Sequence, residues 1–178
     1  MRGATMCRTK LELRRHHVLL ISQNEDGYQL EAYLDYLRRV QTRLPEGTQA
    51  FALAPWHYDI THRKCPHDSW LGTVALREIS QGRRNEIRRL EIAATFLGAF
   101  HDGVFDLVYR DVQSYSLVWP DGKDRRATVA HGDWIVDEIL LTEEGRISHE
   151  ISFSERGVWK IVCADLFHQW RDIAPSGD

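Results

Sequence analysis

From residue 69 to residue 163, apolar side chains recur at every second position in one segment after another, most clearly in residues 90–96 and 147–153. Because successive side chains of a β-strand point to opposite faces, this alternation predicts strands that each bury one face. Turn signals that contain glycine separate the segments, as at Asp102-Gly103 and Glu144-Gly145, and such turns join antiparallel neighbours. The sequence therefore predicts an antiparallel β-meander of at least six strands, arranged as a curved sheet or half-barrel.

One segment near the start of the chain shows helical periodicity instead. Between Tyr28 and Leu44, apolar residues recur at intervals of three and four with charged residues on the other face, and Pro45 follows. This pattern predicts one N-terminal amphipathic helix packed on the sheet, which makes the fold class α+β. Short apolar runs also predict a strand over residues 16–22 and a buried strand over residues 49–55.

The length of 178 residues suits one domain. We predict that this domain spans residues 16–173, with a basic, flexible tail over residues 1–15 and a disordered tail over residues 174–178. The leading tail lacks the apolar core of a secretory signal, and the native start is either Met1 or Met6. No apolar run approaches the roughly 20 residues of a membrane span, and three scattered cysteines do not suit a disulfide framework. We therefore expect a cytoplasmic protein that does not enter a membrane.

Residues 56–71 hold the densest group of side chains that can bind metal, stack or transfer protons. Imidazole and thiolate groups are preferred zinc ligands, and this segment offers His57, His62, Cys65 and His67. Their spacing matches no standard zinc motif, since there is neither a Cys-x-x-Cys pair nor a His-Glu-x-x-His helix. One interpretation is a zinc-binding loop, with no further cofactor implied. The other is a loop whose histidines and aromatic residues pack against the sheet.

A second group of polar residues lies within the predicted meander. His131, Asp133, Asp137 and Glu138 are candidate ligands of a divalent cation on a carboxylate-rich edge. The alternative is that they form the solvent-facing side of a strand. His149 alternates with apolar neighbours, which predicts a partly buried histidine that has a hydrogen-bond partner.

Aromatic residues are numerous, with six tryptophans and six tyrosines. Tryptophan and tyrosine are enriched at the energetic centres of interfaces, so the aromatic residues of this loop and their neighbours form a candidate binding surface. The members of that surface are Trp56, Tyr58, His67, Asp68 and Trp70. The net charge of −3 disfavours nucleic acid as the partner, and so do the acidic residues beside the arginines of residues 83–89.

Short motifs in the chain resemble those of a group of small, β-rich, mostly uncharacterised bacterial proteins. Residues 65–71, Cys-Pro-His-Asp-Ser-Trp-Leu, resemble the His-Asp-x-x-Leu entry strand of that group. Residues 97–103 and 107–112 resemble its hairpin and closing strand, and residues 131–138 resemble a further part, so the resemblance covers roughly residues 56–170. Some proteins of this type are thought to be immunity proteins that neutralise toxins. The resemblance implies a binding module and transfers no catalytic residue to this chain.

Two hypotheses of function follow. The first is a bacterial, cytoplasmic, non-catalytic domain that binds a protein partner, as an immunity protein does, through the loop from Trp56 to Trp70. The second is a metal-binding domain or metal-dependent hydrolase, which requires the four zinc ligands to converge on a cleft with room for a substrate. Because the edge strands of an open sheet can pair between subunits, a homodimer is also expected.

Overall fold

A computed structural model of the chain describes residues 20–25, 27–118, 131–154 and 156–173. These residues form ten strands and two α-helices. In chain order they are β1 (Ser22–Asn24), β2 (Gly27–Gln29), α1 (Glu31–Val40), α2 (Glu46–Ala52), β3 (Trp70–Gln81), β4 (Ile87–Leu97), β5 (Gly103–Arg110), β6 (Ser114–Val118), β7 (Trp134–Leu141), β8 (Ile147–Phe153), β9 (Val158–Cys163) and β10 (Asp165–Asp172). In this part of the chain, no helix has both the length and the apolar character needed to cross a bilayer.

The strands build two four-stranded antiparallel sheets, with the orders β10-β5-β4-β3 and β6-β9-β8-β7, beside the small β1-β2 hairpin. The predicted antiparallel pairing and the α+β class are confirmed. Two paired segments continue from one sheet into the other, because β5 leads into β6 and β9 leads into β10. The pairing persists across this corner, where the amide of Ala164 donates to Arg110 O and the amide of Gln113 donates to Val162 O.

The core lies between the two sheets. Alternate residues of β4 and β5 point into it, and they meet the inward residues of β7, β8 and β9. The Phe96 ring lies 5.0 Å from that of Trp134 and 6.0 Å from that of Trp159, so aromatic side chains bridge the sheets. Both tryptophans are 1% exposed. The apolar alternation in the sequence thus marks the face of each strand that the other sheet covers.

The predicted strand over residues 49–55 is wrong, because α2 occupies most of it. The first amides of this helix have an acceptor far away in sequence: the amide and hydroxyl of Thr48 both donate to Asp165 Oδ1 at 2.8 Å. A carboxylate at this position satisfies amides that a helix start leaves without partners. Gly47 permits close packing on β10, since a Cβ there would lie 2.6 Å from Leu166 O.

The predicted amphipathic helix is confirmed as α1, although Tyr28 and Gln29 belong to β2 and a 3-10 turn over Gln41–Arg43 replaces the last part of the predicted helix. Its buried residues, Tyr33, Leu37 and Val40, follow the predicted spacing. The strand predicted over residues 16–22 falls mainly outside the described residues, and β1 begins at Ser22. The two predicted tails, residues 1–15 and 174–178, also lie outside them.

Candidate functional site

The loop of residues 53–69 runs along the free edge of β7 as a series of tight turns. Two of its side chains hydrogen-bond to the backbone of that strand. The Tyr58 hydroxyl donates to Asp137 O at 3.1 Å, and Nδ1 of His67 donates to Ile135 O at 2.7 Å. The loop therefore covers part of a sheet edge, which explains why these two side chains are not freely exposed.

Helix α1 covers the next part of the same edge. The amide of Ile139 donates to the Tyr33 hydroxyl at 2.7 Å, and the amide of Leu141 donates to the Tyr36 hydroxyl at 2.6 Å. Backbone groups on the side of β7 that faces away from β8 are therefore hydrogen-bonded to side chains at Ile135, Asp137, Ile139 and Leu141. An edge with its backbone groups engaged in this way cannot pair with another strand without breaking these bonds.

Asp137 is the centre of a buried hydrogen-bond network, with 3% of its surface exposed. His57 Nε2 lies 3.0 Å from its Oδ1, and His149 Nε2 lies 3.0 Å from its Oδ2. The indole N–H of Trp134 donates to Oδ1 at 3.2 Å. A buried carboxylate with three donors is well satisfied, and its negative charge is compensated by the imidazoles around it.

The partners of His57 fix the positions of its protons. His57 Nδ1 lies 2.9 Å from Phe51 O, and a carbonyl oxygen can only accept. Because Asp137 is also an acceptor, both nitrogens of His57 donate and the ring is an imidazolium. His149 Nδ1 instead lies 2.9 Å from the Tyr109 hydroxyl, whose pKa burial raises well above its ordinary value. That hydroxyl therefore keeps its proton, and Asp137 and His57 form a buried ion pair.

The ionisation of Asp137 contributes to stability. Burial by itself would raise the pKa of this carboxyl, but the charge and hydrogen bonds of His57 and His149 hold the pKa well below its usual range. A group with a depressed pKa in the folded state stabilises the fold at pH values above its unfolded-state pKa, which is about 3.9 for aspartate. This stabilisation is lost as the pH falls from there towards the folded-state pKa.

We expect the free energy of unfolding to fall steeply below about pH 4, and to fall less steeply in an Asp137→Asn variant. Urea unfolding at a series of pH values measures the slopes. Asp106 is a suitable control, because its pKa is also lowered, by Arg171, but at an exposed ion pair. Asp106→Asn should change the acid slope less than Asp137→Asn. Equal slopes in the wild type and Asp137→Asn would contradict the role assigned to Asp137.

The predicted zinc ligands have other partners in this structure. Both nitrogens of His57 are engaged in the network. The Cys65 thiol donates to His57 O at 3.1 Å, and burial raises its pKa to about 11, which disfavours the thiolate. His62 Nδ1 accepts the Lys64 amide, and His67 Nδ1 donates to β7. Within the described ranges, no three His, Cys, Asp or Glu side chains are placed to hold a metal ion, and zinc binding stays a prediction.

The five residues of the predicted binding surface have different environments. Trp56 is partly buried, with its ring 5.2 Å from that of His168, and the Tyr58 ring stacks on His57 at 4.3 Å. His67 lies on the β7 edge, and Asp68 is exposed at a turn with a φ of 61°. Trp70 is 46% exposed at the first position of β3. Tyr58 and His67 thus have structural contacts, and Trp70 belongs to a different exposed surface.

Of the two interpretations of His131, Asp133, Asp137 and Glu138, the solvent-facing strand side is wrong for Asp137 and Glu138, and the divalent-cation site stays a prediction. Asp137 is 3% exposed and Glu138 is 2% exposed, and burial raises the pKa of Glu138, which accepts the amide of Ile21. His131 lies elsewhere, against the rings of Phe153 and Trp159. The position of Asp137 and Glu138 inside an apolar run could have indicated their burial. Adjacent residues of a strand face opposite sides, however, so the sequence did not predict that both are buried.

The predicted environment of His149 is confirmed. This histidine is 1% exposed, and its two nitrogens bond to Asp137 and to Tyr109. Its alternation with Ile147 and Ile151 placed it on the inner face. No local pattern indicated the partners, because they come from two other strands and from both sheets.

A cavity of about 310 Å³ opens beside this network. Its walls come from the start of α1, from the loop of residues 53–69 and from β7. The lining residues are Tyr28, Leu30, His57, Tyr58, Ile60, Cys65, His67, Trp134, Ile135, Val136 and Asp137. Most of these present apolar or aromatic atoms. The cavity therefore combines apolar walls with a few polar groups, as small-molecule sites commonly do.

The edge strand β3 forms a second candidate site. It pairs with β4 on one side, and the only contact recorded on its other side, within the described residues, is the bridge between Trp70 and Asp133. Eleven of its twelve positions are exposed, all except Leu71, whereas β5 is buried at every second position. Two other edges differ, because β7 is capped by side chains and β10 is covered by α2, and the remaining edge strand of the two sheets, β6, is only five residues long. A long, uncovered edge strand is a template for pairing with another chain.

No protein-family model, curated protein or solved structure matches this chain. The arguments for its function therefore rest on the geometry of these two sites.

Proposed function

We propose that this chain is a non-catalytic protein-binding domain that takes an extended segment of its partner onto the free edge of β3. The observation that carries the proposal is the contrast between sheet edges described above. Addition of a strand to a sheet edge is a common way of recognising a peptide, in which main-chain hydrogen bonds supply affinity and side chains supply specificity.

The orientation of the β3 backbone follows from the pairing of β4. Leu90 O accepts the amide of Val112, so Leu90 and the other even-numbered residues of β4 face β5. The odd-numbered residues of β4 consequently bond to β3, where Glu91 pairs with Arg77. The even-numbered residues of β3 must then direct their amides and carbonyls to the free edge. Three of these residues are Val74, Leu76 and Glu78.

The same edge presents apolar side chains. Val74 lies opposite Ala94, and Leu76 lies opposite Ile92, so both side chains belong to the inner face of the sheet. Ile92 is fully buried, whereas Val74 is 37% exposed and Leu76 is 43% exposed. The apolar inner face of this sheet thus extends from buried residues of β4 to exposed residues of β3. A partner strand beside β3 would bury these side chains with its own apolar residues.

The charge of the hairpin formed by β3 and β4 indicates which charged side chains the partner segment carries. Between residues 77 and 91 there are five arginines and three glutamates, a local charge of +2 (5 − 3), although the whole chain has a net charge of −3. The ion pairs inside the hairpin are long, at 3.7 Å for Arg77–Glu91 and 3.6 Å for Arg88–Glu78, and largely exposed, so they neutralise the arginines weakly. The expected partner segment therefore alternates apolar residues with carboxylates.

Amide hydrogen exchange tests the open edge in the free protein. We expect fast exchange at Val74, Leu76 and Glu78 and slow exchange at Ala75 and Arg77, because only the latter amides bond to β4. Equal protection of both sets at low protein concentration would mean that β3 is already covered, which contradicts the proposal. Protection of the even-numbered set that grows with concentration would indicate pairing with a second copy of this chain, as in the predicted homodimer.

Binding of a short peptide of alternating glutamate and valine tests the proposed partner chemistry, with a lysine–valine peptide as its counterpart. We expect the acidic peptide to bind at least about tenfold more tightly at low salt. Leu76→Pro should abolish this binding, because proline removes an edge amide and is tolerated on edge strands. The matched control is Leu76→Ala, which keeps the amide and should bind more weakly than the wild type but measurably. Equal binding by the two variants would exclude strand addition.

A toxin of the kind neutralised by the proteins that the sequence resembles is one class of partner for this surface. The proposed surface differs from the loop first predicted, and Trp70 is the residue that the two have in common. Its ring lies 4.5 Å from that of His101, at the end of β3 that adjoins the core. Trp70 therefore stands where an added strand would leave the sheet, and it is the aromatic anchor that we expect at this interface.

A further inference from the structure

We infer that the cavity between β7 and the loop of residues 53–69 is a binding site for a small, mainly apolar molecule that carries one hydrogen-bond-accepting oxygen. This site is separate from the edge of β3, and it does not depend on the function proposed for that edge. Its volume of about 310 Å³ lies at the lower end of the range for sites that bind small molecules.

The walls of the cavity select for an apolar ligand. Tyr28, Tyr58 and Trp134 contribute aromatic rings, and Ile135 and Val136 contribute aliphatic surface. His57 and Asp137 also line the cavity, but the His57 Nε2 and Asp137 Oδ1 atoms are bonded to each other at 3.0 Å. A ligand with several polar groups would find few partners here and would lose its hydration.

One backbone donor remains beside the cavity. Asp137 O faces the free edge of β7, because Tyr58 donates to it. In a strand the amide and carbonyl of one residue point to the same side, so the Asp137 amide also faces this edge. Along the edge it lies between Ile135 O, which His67 engages, and Asp137 O. No acceptor for this amide is recorded among the described residues, and Tyr58 and His67 on either side of it both line the cavity.

A ligand oxygen that accepted from this amide would satisfy the donor while its apolar part filled the cavity. A carbonyl, amide or carboxylate oxygen on a small ring has this chemistry. The site is suited to binding and not to covalent catalysis through Cys65, because burial raises the pKa of that thiol to about 11 and the thiol donates to His57 O.

The test uses benzamide and toluene as probes, since they have similar shapes and only benzamide offers an acceptor oxygen. Nuclear magnetic resonance of the full chain would follow the Asp137 amide during each titration. We expect benzamide to shift this amide to lower field and to bind about tenfold more tightly than toluene, the effect of one hydrogen bond. Benzoate distinguishes a neutral from a charged acceptor, and binding of either one supports the inference.

Two variants of β7 provide the matched comparison. Val136→Phe fills the cavity and should abolish the response to benzamide. Leu140→Phe places the same side chain on the same face of β7, at a half-buried position that does not line the cavity, and should leave binding unchanged. The inference is overturned if no probe shifts the Asp137 amide, if toluene binds as tightly as benzamide, or if a folded Val136→Phe variant binds benzamide like the wild type.

Discussion

Replacement of Asp137 by alanine is expected to lower the free energy of unfolding by about 3–5 kcal/mol. The substitution leaves the imidazolium of His57 buried without its counter-charge, and it removes the acceptor of the Trp134 indole and of His149 Nε2. Because a domain of this size has a total stability of about 5–15 kcal/mol, the variant should unfold at a much lower urea concentration. Urea unfolding followed by tryptophan fluorescence measures the change.

Asp68 provides the control for this substitution. Its side chain is 59% exposed, and its contact with His67 is long, at 3.4 Å. Asp68→Asn should therefore change the stability by no more than about 0.5 kcal/mol, because asparagine is tolerated at the positive φ of this turn. A loss at Asp137 no greater than that at Asp68 would mean that the network is not an ion pair of the kind described.

Replacement of Trp134 by phenylalanine is expected to have the second largest effect, because it removes a donor to the Asp137 carboxylate as well as part of a buried ring. Trp159→Phe is the matched comparison. Both tryptophans are 1% exposed and pack against Phe96, but the Trp159 indole N–H has no hydrogen-bond partner among the described residues. The loss of packing is similar in the two variants, so their difference isolates the hydrogen bond.

We expect Trp134→Phe to be less stable than Trp159→Phe by about 1.5–3 kcal/mol, the contribution of a hydrogen bond to a charged group. Thermal unfolding of both variants at neutral pH gives the comparison. Equal stability of the two variants at neutral pH would show that the indole of Trp134 contributes only packing.

The two candidate sites lie at two edge strands, β7 and β3, which differ in how their backbone groups are covered. On one side, tyrosine hydroxyls and a histidine cap β7, and the loop that supplies some of these groups also forms the cavity. On the other side, β3 extends past the core with its backbone unpaired and its arginines exposed. A loss of strand binding at β3 should therefore leave the binding of benzamide at the cavity intact, and the reverse should also hold.

The strand pattern and α1 could be predicted from the sequence, because both depend on which face of a local segment is buried. An apolar residue at every second position marks a strand with one covered face, and residues 90–96 behave as expected. The burial of His149 followed from the same rule. The expectation of a protein partner came from the resemblance to immunity proteins, and it stays a proposal.

The zinc hypothesis shows where this local reasoning ends. His57, His62, Cys65 and His67 are close together in sequence, and proximity suggested a shared ligand. In the structure each has a different hydrogen-bond partner, and the partner of His57 is Asp137, 80 residues away. A count of ligand-type residues in a loop does not say which way each side chain turns, because this depends on the strand against which the loop packs.

The sequence by itself determined the antiparallel strands, the first helix and the inner faces, since alternation and helical spacing record burial within a few residues. Only the tertiary structure decided that residues 46–52 form a helix, that Asp137 is a buried ion-pair partner, and that β3 is the uncovered edge. Each of these depends on parts of the chain that are distant in sequence: Asp165 at the start of α2, His57 beside Asp137, and the strand order that places β3 at the end of its sheet. Local patterns carry no record of such partners, because the same residues are equally compatible with solvent until the other elements are in place.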